Sequence, residues 1–339
     1  MVQKAGLIAA AVIVIVIIAA AVVYLASQPA LTPTPTPTKI KMAVVYVTPV
    51  EEPWNSALHT AMTKAVSELG IEYDYQESVS VADVERVLRD YVQRGYDLIW
   101  AHSYGFGDAA RKVGRDFPNA KILHGSGLET TSNVGIYDYW IHEATYLEGV
   151  IAGLMTKTNK IGIVAGYPVP DVDILLNAFI KGAIDINPNV KVMVTFIESW
   201  YDPPKAMEAA KAQMDAGADV LFAERHGVIS AAAERGVWVF GNIVDQTQEA
   251  PKVVLTSAVW DLYPFVEEMT MLIKEGKWKA DNYAWGMAKG CSKLAPLNPA
   301  IPKDIQDKIE DLRKKIVAGE LKVLVNPNDP KEVWPGVVL

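Results

Sequence analysis

Residues 133–157 read NVGIYDYWIHEATYLEGVIAGLMTK, and the way this stretch changes character decides the fold. Positions 134–136 are a short apolar strand. A polar-aromatic cluster follows: Tyr137, Asp138, Tyr139, Trp140, His142 and Glu143. Apolar residues at 144, 147, 150, 151 and 154 then recur at the spacing of one buried helix face. Gly149 and Gly153 lie one turn apart and let that helix approach a neighbour closely. A strand running into a helix through such a cluster puts rings and carboxylates at the carboxyl end of a sheet, where open α/β sheets bind small molecules.

Outward from this stretch, strand and helix patterns alternate. On the amino-terminal side, strands are predicted at 40–47, 71–75, 97–101, 121–124 and 133–137, with helices at 55–69, 81–94 and 107–117. The first helix has apolar residues at 57, 58, 61, 62, 65, 66 and 69 and stops at Gly70. On the carboxyl-terminal side, strands at 160–165, 191–196, 218–223 and 237–240 alternate with helices at 174–186, 204–216 and 228–234. Such alternation implies parallel sheets covered by helices on both faces. Two units of similar length make two doubly wound lobes with a hinged cleft between them. The unit formed by strand 253–259 and helix 262–275 is expected to return to the first lobe. The resulting division is lobe 1 at 39–138 and 256–282, and lobe 2 with a C-terminal tail at 139–255 and 283–339.

Residues 7–26, LIAAAVIVIVIIAAAVVYLA, form an apolar run of 20, long enough to span a bilayer. Lys4 precedes it and no charge follows until Lys39, so the globular part is expected outside the cell membrane on a single-pass anchor, 1–28. Lys4-Ala5-Gly6-Leu7 is also similar to the cleavage site of archaeal pilin-like signal peptides, and both readings stay open. The stretch 29–38, ending LTPTPTPT, reads as an extended stalk.

The net charge of −8, with scattered Lys and Arg, gives no basic face for nucleic acid. The single cysteine, Cys291, rules out an internal disulfide and a multi-Cys metal site. The chain carries no HExxH, GxSxG, Walker-type loop or helix-opening GxGxxG. No catalytic residue, metal or cofactor is therefore assigned. His102, His124 and His226 lie near strand ends and read as structural, though gathered around a metal they would suit a hydrolase. Aromatic residues after several strand ends, with Asp and Asn among them, suit a flat heterocycle stacked on its faces and hydrogen-bonded at its edge.

An ordered series of motifs adds a family resemblance over about 39–299. The series is Pro49 and Pro53-Trp54-Asn55, then Ser103-Tyr104-Gly105-Phe106-Gly107-Asp108. Next is Tyr146-Leu147-Glu148-Gly149-Val150-Ile151-Ala152-Gly153. Ser199-Trp200-Tyr201-Asp202-Pro203 and Gly217-Ala218-Asp219-Val220 complete it. In this order the chain resembles the basic membrane protein family of solute-binding lipoproteins, which includes purine-nucleoside receptors of ABC importers. The resemblance implies a type I periplasmic-binding-protein fold, no enzyme activity, and permease and ATPase partners. The Trp54 and Ser199–Pro203 forms are similar to the branch that binds purine bases such as adenine. By that likeness Asn55 and Asp108 match polar ligand positions, and Trp200 and Trp54 are stacking candidates. In nucleoside-binding members an Asp-x-Asp-Gln element and a Lys hold the ribose. Here Ile243 replaces the first Asp, and Val259-Trp260 stands where the Lys would be, which favours a base over a nucleoside. The full candidate set is Trp54, Asn55, Tyr104, Asp108, Tyr139, Trp140, Trp200, His226, Asn242, Asp245 and Trp260. A nucleoside, flavin or sugar ligand stays open, as does a sensor that reports to a partner without transport.

Overall fold

The computed structural model describes residues 39–139, 141–335 and 337, with only the backbone of Asp138 and Tyr139. The apolar run 7–26, the Thr/Pro stretch, Trp140 and the Tyr139 side chain lie outside the described residues. Among the described residues no helix is long and apolar enough to cross a membrane.

The first sheet takes β1 (Lys41–Tyr46), β2 (Glu72–Gln76), β3 (Leu98–His102), β4 (Ile122–Gly125), β5 (Val134–Tyr139) and β11 (Asn282–Trp285). Its order is β2-β1-β3-β4-β5-β11, parallel throughout, with Tyr46 opposite His102 in the β1–β3 register. The second takes β6 (Lys160–Ala165), β7 (Lys191–Phe196), β8 (Val220–Ala223), β9 (Trp238–Ile243), β10 (Val254–Trp260) and β12 (Ser292–Leu294). Its order is β7-β6-β8-β9-β10-β12, with only β12 antiparallel. The apolar strands such as β1 and β3 are buried on both faces, as parallel strands covered by helices must be.

The helices between them are α1 (Pro53–Leu69), α2 (Val84–Gln93), α3 (Gly107–Asp116), α4 (His142–Met155) and α5 (Pro170–Ile186). They continue with α6 (Pro203–Asp215), α7 (Val228–Arg235), α8 (Tyr263–Lys274), α9 (Lys303–Val317) and α10 (Pro330–Val333). Helix α1 starts with Pro53 in its first turn, capped by Glu52, and ends on Gly70 at φ 69°, a left-handed cap that glycine enters without steric cost. Helix α4 is buried on nearly every side. A Cβ on Gly149 would stand 1.9 Å from the Phe179 carbonyl oxygen, and one on Gly182 would stand 2.1 Å from that of Tyr146. Helices α4 and α5 therefore touch backbone to backbone, as the Gly149/Gly153 spacing anticipates. One apolar core runs continuously from the inner face of the first sheet to that of the second. Two smaller cores lie under the outer helices.

The expected return of the 256–282 segment to the first lobe needs correction. Strand β10 pairs with β9 and stays in the second sheet. The chain crosses at Asp261, immediately after β10. Helix α8 then packs on the first lobe, with Phe265 edge-on to Trp100 at 5.4 Å. Residues 283–285, expected in the second lobe, belong to β11 beside β5. The chain returns to pair β12 with β10. The crossings thus fall after β5, β10 and β11. Glu143 accepts a hydrogen bond from the Met287 N–H at 2.6 Å, tying the first crossing to the last.

Replacing Gly149 by Ala should cost about 3 kcal/mol or more, because the new methyl meets backbone that cannot rotate away. Denaturant unfolding of the variant checks this. A loss under about 1 kcal/mol would show that the two helices can move apart.

Candidate functional site

Each sheet has one strand flanked on both sides by its successors: β1 by β2 and β3, and β6 by β7 and β8. At such a switch point the loops diverge and leave a crevice at the carboxyl ends. The two crevices face one another across a shared cavity. From the first lobe, Val47, Thr48, Glu52 and Trp54 follow β1, Ser103 and Tyr104 follow β3, and Ser126 follows β4. From the second, Asp171 and Val172 follow β6, Trp200 follows β7, Glu224 and Arg225 follow β8, and Ile243 ends β9.

Trp54 is held by a chain of contacts. The Tyr137 hydroxyl donates to His102 Nδ1, and His102 Nε2–H donates to the Trp54 carbonyl at 3.1 Å. Burial pushes the His102 imidazole down to about 3, so it stays neutral and keeps this donor–acceptor order. The Trp54 ring stacks on His102 at 4.6 Å and on Trp260 of the second lobe at 4.7 Å. On the opposite wall, Arg225 donates from Nη1 to the Trp200 carbonyl at 2.8 Å, and its guanidinium lies 5.5 Å from the Trp200 ring centroid.

The charged part of the wall is mostly carboxylate. Glu224 takes Arg225 Nε and Nη2 in a fork at 2.8 and 2.6 Å, and accepts from the Gly166 N–H at 2.9 Å. Glu52, from the other lobe, caps α1 through the Asn55 N–H and stands 3.7 Å from Arg225. Asp171 begins α5 and shares the cavity wall with Ser126 of the first lobe. Burial raises all three carboxyls, Glu52, Asp171 and Glu224, above their ordinary range, and the guanidinium only partly offsets it. Ile243 has φ 70°, a left-handed conformation that a β-branched residue adopts only under strain, and Ser126 has φ 59°. Such strain gathers at ligand clamps.

The structure brings together Trp54, Tyr104 and Trp200 from the predicted set. It places Asn55, Asp108, His226, Asn242, Asp245 and Trp260 differently. Asn55 is fully buried and does not line the cavity; its NH2 donates to Thr48 and Pro49 and shapes the β1–α1 turn, while its carboxamide oxygen has no hydrogen-bond partner among the described residues. The Asp108 side chain is 99% exposed, paired with Arg111 at 2.6 Å on an outer groove. His226 is exposed and stacks on Tyr201. Asp245 is exposed and caps Thr247. Asn242 is buried with neither amide atom hydrogen-bonded among the described residues, and it does not line the cavity. Trp260 backs Trp54 and lines a separate groove. Asp202 caps α6, accepting from Lys205 N, as its Pro-Pro context predicts. Among the described residues no group of three or more His, Cys, Asp or Glu is placed to hold a metal ion.

Sequence reading missed Glu52, Ser126 and Asp171, and left Glu224 and Arg225 out of the candidate set. Pro170 marks the true start of α5, four residues before the predicted one, and a Pro at the first helical position was the available signal.

Comparison with known proteins agrees with this geometry. Residues 39–326 match the Bmp family, described as ABC transporter substrate-binding protein PnrA-like. The chain belongs to this family. It is 33% identical over 294 residues to a protein of Brucella abortus named as a purine-binding protein, covering 85% of this chain and 84% of that one. It is also 33% identical over 301 residues to a Haloferax volcanii protein named as a putative ABC transporter glucose-binding protein, covering 88% and 74%. An ABC transporter solute-binding protein of Aeropyrum pernix K1 superposes with a TM-score of 0.75 at 22% identity, covering 85% of this chain and 94% of that one, which establishes the fold. The Bmp protein is thus the substrate-binding component of an ABC transporter, a role that implies a small-molecule ligand and permease and ATPase subunits.

Arg225→Met should destabilise the Bmp protein by about 3–5 kcal/mol, since it strands the buried Glu224 carboxylate. A Glu224→Leu/Arg225→Met double variant should regain much of that loss. Urea unfolding of both variants tests the pair, and equal losses would show that the charge partnership is not what is being broken.

Proposed function

We propose that this protein is the membrane-anchored, extracellular receptor of an ABC importer and that it captures a purine base such as adenine, or a related nucleoside, between its closing lobes. The observation that carries the reading is the cavity at the two facing switch points, walled by Trp54 and Trp200 and edged by acceptors. Indole faces suit a planar ring. The edge suits N–H donors, because Arg225 has Nε, Nη1 and Nη2 already committed to Glu224 and Trp200. The Brucella relative's name supports the purine reading, and the Haloferax relative's name makes glucose the comparison ligand.

A free base fits better than its nucleoside. Ile243 lines the cavity, and by the family resemblance it stands where nucleoside-binding members carry an acidic residue for ribose; Trp260 is taken up behind Trp54. A buried hydroxyl without a partner is costly. The mechanism is lobe closure about the crossings after β5, β10 and β11, which changes the surface offered to the permease. The apolar run 7–26 supplies the anchor and 29–38 the spacer.

Titration calorimetry of the purified chain with adenine, guanine, hypoxanthine, adenosine and glucose tests this. Adenine should bind more tightly than adenosine, and glucose weakly or not at all. Trp54→Ala and Trp200→Ala should each weaken adenine binding by roughly 30-fold or more, about 2 kcal/mol. Unchanged affinity in both variants removes the indoles from the site.

A further inference from the structure

Both lobes bring acid to the same place. Glu52 comes from the start of α1, Asp171 from the start of α5, and Glu224 from the end of β8. Relative exposures are 4%, 9% and 5%, and all three line one cavity. The only Lys or Arg among the lining residues is Arg225, 7% exposed. Its guanidinium is forked onto Glu224, while Glu52 stands at 3.7 Å, beyond hydrogen-bond length.

The groups packed around this set do not restore the balance. On α5, Asp173 is buried, and its carboxyl is raised to about 7 by burial and by Asp329, Asp171, Glu224 and Glu332. His102, behind Trp54, is neutral. Thr48, Ser103, Tyr104 and Ser126 complete the polar lining without charge. With Glu52, Asp171 and Glu224 all ionised, the closed cleft would carry two negative charges more than it has cations. Burying an uncompensated carboxylate costs more than protonating it near neutral pH.

Glu52 and Asp171 meet the opposite lobe only when the lobes are together: Glu52 faces Arg225 at 3.7 Å, and Asp171 shares the cavity wall with Ser126. We propose that the cleft closes with net uptake of a proton into the carboxylate set Glu52, Asp171 and Glu224, so that ligand capture is linked to acidity. The inference rests on the reading of this cleft as the ligand site. A carboxyl that binds its proton more tightly in the closed form favours closure at low pH. It loses that contribution as the pH rises through its closed-form value. Affinity should therefore fall with rising pH, by up to about tenfold per unit for one proton.

The test is calorimetry of the full-length protein with adenine at pH 7 in buffers of different ionisation enthalpy. The expected result is a buffer-dependent heat equivalent to uptake of about one proton, reduced in Glu52→Gln or Asp171→Asn. Buffer-independent heat overturns the proposal. Undiminished uptake in Glu52→Gln, Asp171→Asn and Glu224→Gln alike also overturns it, since the proton would then sit on the ligand or elsewhere. If adenine gives no heat, the purine reading fails, and small-angle scattering of the ligand-free protein between pH 5 and pH 8 decides separately. A shift toward the compact form as the pH falls, reduced in Glu52→Gln or Asp171→Asn, supports the proposal. A pH-independent profile overturns it.

Discussion

Arg225 organises the second-lobe wall of the cavity and faces Glu52 of the first lobe at 3.7 Å. Its fork onto Glu224 fixes the end of β8, and Glu224 in turn accepts from Gly166 at the end of β6. The same guanidinium reaches the Trp200 carbonyl and lies against its indole. Across the cleft, Glu52 caps the helix that carries Trp54 two residues later. Both stacking rings are thus placed by residues of one buried charge set. This is an arrangement in which losing the cation exposes the cost of every carboxylate around it.

The second constraint is the closeness of α4 and α5. Gly149, Gly153 and Gly182 let their backbones meet, and no other residue type has room there. Because α4 also packs on β10 and follows directly from β5, this contact sets where the second lobe begins relative to the first. The tie from Glu143 to Met287 adds a polar clasp between two of the crossings. Rigid lobes joined by short crossings are what a closing cleft requires.

Much of this was legible in the sequence because it rests on periodicity. Alternating apolar runs and helix faces located β1 to β9 and their helices, and the glycine pair announced the α4–α5 contact. The destination of β10 was not legible, since a buried strand carries no mark of which sheet it joins. Strands β11 and β12 are four and three residues long, too short to show a period. In the site, Trp54, Tyr104 and Trp200 stood out by residue type. Asn55 and Asp108 belong to the same motifs, yet they point into a turn and into solvent, because motif adjacency does not fix side-chain direction. Asp171 was hidden by a misplaced helix start, and Glu52 by its unusual use of glutamate as a cap.

The central claim is that the cavity between Trp54 and Trp200 is where the transported molecule sits. The most direct measurement is to release and identify the small molecule that co-purifies with the protein, then solve the structure of the complex with it. The account predicts a purine ring against one or both indoles, its N–H edge toward Glu52, Asp171 or Glu224. A ligand seated in the outer groove beside Asp108 and Arg111, or a sugar in the cavity, would contradict it.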